Sequence, residues 1–247
     1  HGDNNYTSYS TVGPFDFISN GQTYPIARTV IKMGYFLYPP SVLAANGNLT
    51  WWERSWIHET GHALGAYHDN FLACENGSTS LPTECLEQEY GNHYSSMGSG
   101  TLGSHFSFYN KYRIGWIDES DIVFRQKGRL TLNPLELQNP SFVKTFSTSF
   151  GDFYSRYGYV FEFRRPVGFD SIGKRGDLSL DGVFVYRNTM SGYPRLTDVT
   201  PAASLSDSGT WTDVSQKDAV LKNLQSLFDI GTGSSFTGIY GTNTSPY

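Results

Sequence analysis

Charged residues are scarce in this chain of 247 residues: they make up 17% of it, against about a quarter in an ordinary soluble domain. The formal net charge is −5 and there is no run of basic residues, which argues against nucleic acid as a partner. No apolar run approaches the length of a transmembrane helix, so we expect no insertion into a membrane. No signal peptide is visible, and the first residues, 1–4, look like a mature or trimmed end.

Aromatic residues, by contrast, are abundant, at 16% of the chain with 17 Tyr and 17 Phe. Together with the low charge and the many Ser, Thr, Gly and Asn residues, this composition is typical of a β-rich extracellular protein. We therefore expect a secreted chain, and a monomer. Its length allows one domain or two, with a substantial core.

Cysteine is limited to two residues, Cys74 and Cys85, which bracket a polar loop. A pair that closes so short a loop predicts a local disulfide, which would contribute about 2–3 kcal/mol by restricting the unfolded chain. A disulfide implies an oxidising compartment. Two free thiols are the alternative.

One stretch, residues 58–69, carries a pattern that predicts a zinc site built for hydrolysis. On a helix, His58 and His62 lie one turn apart on one face, so both imidazoles can reach one metal ion. Gly65 can take φ > 0 and break the helix, which lets His68 return as the third ligand. Glu59 is placed to contact a metal-bound water. Three protein ligands leave a fourth position for that water, as in catalytic zinc sites; a buried helix with satisfied core histidines is the alternative.

This pattern, HExxHxxGxxH, resembles that of the metzincin zinc endopeptidases. A second metzincin feature is a methionine in a tight turn beneath the metal, and residues 90–100 offer Met97 for it. Within the metzincins the chain looks most like the gametolysin family and its bacterial relatives. The segments that carry this closer resemblance are Tyr90-Gly91, Ser96-Met97-Gly98, 111–116, 161–170 and 196–201.

The resemblance implies a secreted zinc-dependent endopeptidase that cleaves extracellular proteins or glycoproteins. Glu59 would remove the proton of the zinc-bound water, and Met97 would pack under the histidines without a chemical step. The residues just after the methionine, Ser99, Gly100 and Thr101, would line the pocket for the substrate. Some metzincins carry a tyrosine two residues after the methionine, but here that position is Ser99.

The resemblance also predicts an α+β protein in which a metzincin-like catalytic domain, 1–118, ends with a helix at 106–116. Only 57 residues precede His58, so either the upper part of this domain lies on a segment absent from the chain or it is reduced. From 119 to 247 the pattern changes to short apolar runs between turn residues, which predicts a β-sandwich-like domain. The predicted strands are 122–124, 130–132, 142–146, 159–163 and 182–186, with one or two helical turns at 219–228.

Acidic residues raise two further hypotheses. Asp69 either orients a group next to the ligands or is an exposed loop aspartate. Asp170, Asp177 and Asp181 either hold calcium through oxygen ligands or are solvated loop carboxylates.

Two other classes of function stay open. One is a glycoprotein peptidase of narrow specificity that selects its sites by the attached glycan. The other is a zinc-containing binding module without activity, against which the presence of Glu59 argues, because a structural site does not require that carboxylate.

Overall fold

Strands greatly outnumber helices in this protein. A computed structural model describes residues 9–10, 12–27, 29–30, 51–74, 85–98, 104–124, 132–134, 142–146, 158–166, 170, 180–188, 194–198, 220–221, 226–229 and 234–237. The helices within these residues are α1 (Trp51–Leu64), α2 (Phe108–Arg113) and a 3-10 helix at Glu119–Asp121. The strands are β1 (Tyr9–Ser10), β2 (Phe15–Ser19), β3 (Gln22–Ile26), β4 (Thr29–Val30), β5 (Phe71–Cys74), β6 (Cys85–Gln88), β7 (Ile122–Phe124), β8 (Phe142–Phe146), β9 (Gly158–Arg164), β10 (Gly182–Asn188), β11 (Pro194–Thr197), β12 (Val220–Leu221), β13 (Ser226–Asp229) and β14 (Ser234–Thr237). The mixed α+β class predicted from the sequence is confirmed.

Eight of the strands form one sheet, in the order β6-β5-β11-β10-β9-β8-β7, with β12 also paired to β10. The pairs β11–β5 and β7–β8 are parallel, and the others are antiparallel. Strands β5 and β6 precede residue 118, whereas the other six follow it. The sheet therefore does not stop at the expected boundary at 118, and the division into domains 1–118 and 119–247, with a sandwich-like second domain, stays a prediction.

The centre of this sheet is covered on both faces. Consecutive residues of β10 from Gly182 to Arg187 are buried, which explains why its sequence is a continuous apolar run rather than an alternating one. The side chains of one large cluster join this strand to β9, α2 and the turn at Tyr94. Its buried members are Phe71, Tyr94, Phe108, Tyr109, Ile117, Ile122, Val160, Leu180, Phe184, Tyr186, Leu196 and Val220. This core holds the turn at Tyr94 and the helix α2 against the sheet.

Several local predictions can be compared with these elements. The segments 122–124, 142–146, 159–163 and 182–186 are strands as predicted. Leu132 lies outside a strand, and 130–131 lie outside the described residues. The closing helix predicted at 106–116 is present but shorter, as α2.

Within 219–228, where the sequence predicts one or two helical turns, the described residues 220–221 and 226–228 lie in the strands β12 and β13 instead. Residues 219 and 222–225 lie outside the described residues. Val220 pairs with Phe184 of β10 and is 1% exposed. The apolar spacing that indicated a helical face thus serves burial in the sheet, where tertiary pairing overrides local preference.

A separate hairpin, β2–β3, lies near the end of α1. Asn20 and Gly21, both at positive φ, form the two-residue turn that such hairpins favour. The amide of Gly13, just before the hairpin, donates to the carbonyl oxygen of His62 at 2.6 Å. Among the described residues no helix is long and apolar enough to cross a membrane.

Candidate metal centre

The end of α1 brings three histidines together. His58 and His62 lie on the last two turns of the helix, and Gly65 follows its end with φ +111°. The amide of Ala66 donates to the carbonyl oxygen of Gly61 at 2.9 Å, a bond that closes a helix end of this kind. The ring of His68 then lies 4.8 Å from that of His62 and 5.3 Å from that of His58, between centroids. The helix, the glycine break and the returning histidine are as the sequence predicts.

The distances between the imidazole nitrogens suit one metal ion. One potential ligand atom from each of His58, His62 and His68 lies within 4.8 Å of the others. The Nε2 atoms of His58 and His62 are 3.1 Å apart. A tetrahedral zinc ion with Zn–N bonds of about 2.0–2.1 Å holds two of its nitrogens roughly 3.3 Å apart. In the part of the chain that the structure describes, no other His, Cys, Asp and Glu residues form such a group.

Hydrogen bonds to the Nδ1 atoms of His58 and His62 determine which ring nitrogens are available to bind a metal ion. Nδ1 of His58 lies 2.9 Å from the carbonyl oxygen of Ser96, and Nδ1 of His62 lies 2.9 Å from that of Ala66. Carbonyl oxygens only accept, so each Nδ1 donates and each Nε2 presents a lone pair. Two lone pairs 3.1 Å apart repel each other unless a cation lies between them. Burial lowers the pKa of His58 to about 4 and also lowers that of His62, which keeps both rings neutral, as metal ligation requires.

The third histidine has a carboxylate partner that the sequence did not point to. Nδ1 of His68 donates to Oε1 of Glu89 at 2.7 Å, which leaves Nε2 of His68 for the metal. A carboxylate behind a ligating histidine fixes the ring and raises its basicity. Glu89 lies 21 residues further along the chain and arrives through the β5–β6 hairpin, so no local spacing could have found it.

Helix α2 holds the loop that carries His68. The side-chain oxygen of Asn110 accepts from the amide of Tyr67 at 2.9 Å, and its nitrogen donates to the carbonyl oxygen of Tyr67 at 2.8 Å. Nε of Arg113 donates to the carbonyl oxygen of Gly65 at 2.6 Å, and its guanidinium lies 3.8 Å from the ring centre of Tyr67. Helix α2 therefore holds Gly65 and Tyr67, while Ala66 between them is hydrogen-bonded to Gly61 and His62 of α1.

Glu59 lies between the two helical histidines in sequence and is 6% exposed. Burial raises the pKa of this carboxyl group. A carboxylate with a raised pKa is better matched to proton transfer near neutral pH than an exposed one. Its placement in the buried part of the same helix fits the base predicted from the sequence.

Met97 lies directly against the helix that carries the ligands. The side chain is fully buried and packs with Ala66 and Phe106. A Cβ atom on Gly61 would overlap the Met97 sulphur, so the glycine between the two histidines is what lets the methionine approach. The carbonyl oxygen of Met97 accepts from the amide of Asp69 at 2.9 Å. The methionine thus packs against α1, and its place beneath a metal ion stays a prediction.

Asp69 is buried, so the alternative of an exposed loop aspartate is wrong. Its carboxylate accepts hydrogen bonds from the hydroxyls of Ser95 and of Ser107, the latter at 2.8 Å. Burial raises the pKa of Asp69, and the hydroxyl donors oppose that shift. The residue after the third histidine therefore ties that loop to the turn of Met97 and to the start of α2.

The structure describes the predicted disulfide but not the predicted substrate-binding residues. Cys85 is disulfide-bonded and lies opposite Cys74 in the β5–β6 register, and the chain has no other cysteine. Ser99, Gly100 and Thr101 lie outside the described residues.

The acidic trio is not assembled as a calcium site in the described residues. Both oxygens of Asp170 accept from Arg164, at 2.8 and 2.7 Å, which gives this buried carboxylate a different role. Asp181 lies 3.9 Å from Arg165, and Asp177 lies outside the described residues.

Comparison with protein-family models, curated proteins and solved structures finds no match to this chain. The resemblance to the metzincins therefore rests on the residues themselves and stays a prediction.

Proposed function

We propose that this protein is a secreted zinc-dependent endopeptidase of the metzincin type, most similar to the gametolysin family. One observation carries the proposal: three imidazoles converge while their Nδ1 atoms are held by hydrogen bonds, with His58 and His62 Nε2 atoms 3.1 Å apart. His58, His62 and His68 would hold the metal. A donor set of three neutral histidines fits zinc, and is the set found in catalytic rather than structural sites.

Zinc supplies Lewis acidity when bound, which polarises a carbonyl oxygen and makes water more acidic. Among the residues of the chain, Glu59 would carry out the proton transfers. Its carboxylate accepts a proton from the water that attacks the scissile carbonyl, and it later delivers that proton to the leaving amine nitrogen. The surrounding protein excludes bulk water from this carboxylate, since Glu59 is 6% exposed.

The surroundings of the histidines support a rigid site. Met97 packs under α1 against Gly61, and Asp69 ties the loop of His68 to Ser95 and Ser107. Pre-organised ligands of this kind favour catalysis, because no energy is needed to assemble the site when substrate arrives.

A disulfide supports the proposed extracellular location. The disulfide at Cys85 favours an oxidising, extracellular compartment. The substrates we expect there are extracellular proteins or glycoproteins, and zinc is the cofactor.

The decisive experiment compares wild type with Glu59→Gln on an unfolded protein, with zinc content measured for both. We expect the rate to fall by at least about 10²–10⁴-fold while zinc stays bound. Glu119→Gln, an exposed change on the 3-10 helix, is the control and should leave the rate unaltered. A zinc-loaded wild type that cleaves neither bare nor glycosylated protein would overturn the proposal in favour of a binding module, and cleavage of the glycosylated form alone would establish the glycan-dependent alternative.

A further inference from the structure

Tyr90 lies beside two of the candidate ligands and still faces solvent. Its ring centre is 3.7 Å from that of His68 and 5.6 Å from that of His58, with interplanar angles of 37° and 30°. The residue is nevertheless 41% exposed. A side chain that packs on the ligands and remains accessible lies where a substrate approaching the histidines would meet it.

The backbone of Tyr90 is held in an unfavourable conformation. Its φ is +60°, and the structure has only one other non-glycine residue with positive φ among those it describes, Asn20 in the hairpin turn. For a bulky side chain this region costs on the order of 1–2 kcal/mol, and such strain often marks a functional site. A glycine would relieve the strain but would remove the ring from the histidines.

Specific hydrogen bonds maintain this conformation. The amide of Tyr90 donates to the side-chain oxygen of Asn70 at 3.1 Å, and Asn70 in turn donates to Glu87 at 2.8 Å. The amide of Gly91 donates to the carbonyl oxygen of Gln88 at 3.1 Å, which closes the turn. The strand β6, the turn and the loop after His68 therefore fix where the Tyr90 ring lies.

A phenol carries its proton at neutral pH, since its ordinary pKa is about 10. A neutral phenol can donate one hydrogen bond and is pre-positioned to do so by the packing of its ring.

We infer that Tyr90 is a catalytic residue, whose hydroxyl donates a hydrogen bond to the carbonyl oxygen of the scissile peptide. The inference rests on the proposed peptidase function. As the water oxygen bonds to the carbonyl carbon, the electron pair of the C=O π bond moves to the carbonyl oxygen. Glu59 takes the proton of the water, and Tyr90 keeps its own proton while its hydrogen bond to the charged oxygen strengthens. A donor aimed at developing charge accelerates the step because its bond is stronger in the transition state than in the ground state.

The test is Tyr90→Phe, which removes the hydroxyl and keeps the ring that packs on His68. Loss of one such donor lowers kcat by about 10²–10³-fold, and we expect KM to change by no more than about twofold, since the donor acts mainly on the transition state. Zinc content and zinc affinity should equal those of wild type. Tyr112→Phe is the matched control. The hydroxyl of Tyr112, a residue of α2, donates to Glu119 at 3.4 Å, and its loss should leave kcat unchanged.

A binding measurement separates this role from a structural one. A phosphinic peptide carries a tetrahedral centre with charged oxygens, so its affinity for Tyr90→Phe should fall in the same ratio as kcat, whereas the affinity for a cleaved product peptide should not. Equal kcat and equal phosphinate affinity in wild type and Tyr90→Phe would overturn this inference and leave the peptidase proposal standing. A parallel loss of zinc affinity would also overturn it, because Tyr90 would then act only by supporting His68. A zinc-loaded wild type that neither cleaves protein nor binds the phosphinate would overturn both.

Discussion

Arg164 donates a hydrogen bond from Nη1 to the carbonyl oxygen of Tyr94 at 2.6 Å. Arg164 belongs to β9 in the second half of the chain, and Tyr94 begins the turn that leads to Met97. The guanidinium also binds both oxygens of Asp170, and Asp170 accepts from the amide of His105 at 2.8 Å. Arg164 thus bonds strand β9 directly to the segment before Met97 and, through the buried Asp170, to the segment after it.

The hydrogen bonds to Tyr94 lie two residues before Ser96, whose backbone contacts the candidate ligand His58. The hydroxyl of Ser104 donates to the same carbonyl oxygen of Tyr94 at 2.6 Å. The carbonyl oxygen of Ser96, two residues after Tyr94, accepts a hydrogen bond from Nδ1 of His58. Strand β9, which follows residue 118, therefore supports the turn whose Ser96 carbonyl oxygen orients His58 on α1.

We expect Arg164→Met to lower the free energy of unfolding by roughly 3–5 kcal/mol, because it leaves buried carboxylates without their cation. The affected carboxylates are Asp170, bound in a bidentate pair, and Glu162, whose Oε1 lies 3.5 Å from Nη1. Urea unfolding at neutral pH measures the loss.

The neighbouring arginine provides the control. Arg165 is 39% exposed and lies 3.9 Å from the half-exposed Asp181, and pairs of that kind contribute about 0–1 kcal/mol. Arg165→Met should therefore change stability little. Similar losses in the two variants would contradict the assignment of stability to the buried guanidinium.

Glu162 should make the protein less stable as the pH rises. Burial, opposed by the charge of Arg164, raises the pKa of this carboxyl group from its ordinary 4.5 to about 7. The charged or titratable groups that face it are Arg164, Lys111, Asp170 and Tyr186. Since the folded state holds the proton more tightly than the unfolded state, the stabilisation is complete below pH 4.5 and is lost as the pH rises through about 7.

Glu162→Gln isolates this contribution. The amide removes the titration while it can still accept from the amide of Phe108, as Oε2 of Glu162 does at 2.6 Å. Chemical denaturation between pH 4.5 and 8 should show a steeper decline for wild type than for the variant, by up to about 1.4 kcal/mol per pH unit. Parallel curves would show that Glu162 is ionised throughout.

The part of the site that the sequence predicts correctly depends on short-range spacing. His58 and His62 are one helical turn apart, and Gly65 at φ +111° ends α1. These features follow from helix geometry and from the conformational freedom of glycine, so they need no knowledge of the rest of the fold.

The parts that it misses depend on pairing between distant segments. Leu196 of β11 pairs with Phe71 of β5 in parallel, which brings the second half of the chain to the site. Glu89 and Tyr90 reach His68 only because β6 folds back on β5. Sequence periodicity does not predict such contacts, because a strand pattern indicates that a segment pairs but not which strand is its partner.

Removal of the Glu89 carboxylate should weaken zinc binding. We expect Glu89→Ala to raise the zinc dissociation constant by about 10–100-fold, nearer tenfold because an exposed carboxylate is screened by solvent. Competition with a chelator of known affinity measures the change. Glu119→Ala, which also removes an exposed carboxylate, should have no effect. Equal zinc affinity in wild type and Glu89→Ala would mean that the bond from His68 Nδ1, 2.7 Å long, does not orient that ring.

Gly61 and Met97 should show strong energetic coupling. A Cβ atom on Gly61 would overlap the Met97 sulphur and would approach Cζ of Phe106 to 2.9 Å. Because Met97 is fully buried, Gly61→Ala must push it aside, at a cost of about 1–3 kcal/mol. Met97→Ala alone should cost about 2–5 kcal/mol through the cavity that it leaves.

The double variant is the informative measurement. Once Met97 is replaced by alanine, the new methyl group at Gly61 has room and fills part of the cavity. Gly61→Ala/Met97→Ala should therefore lose less stability than the sum of the two single variants, by about 0.5–3 kcal/mol, as residues in direct contact do. Urea unfolding of the four proteins gives the cycle. Additive losses would mean that the methionine does not pack against the helix between the two histidines, and that the support beneath the proposed metal lies elsewhere.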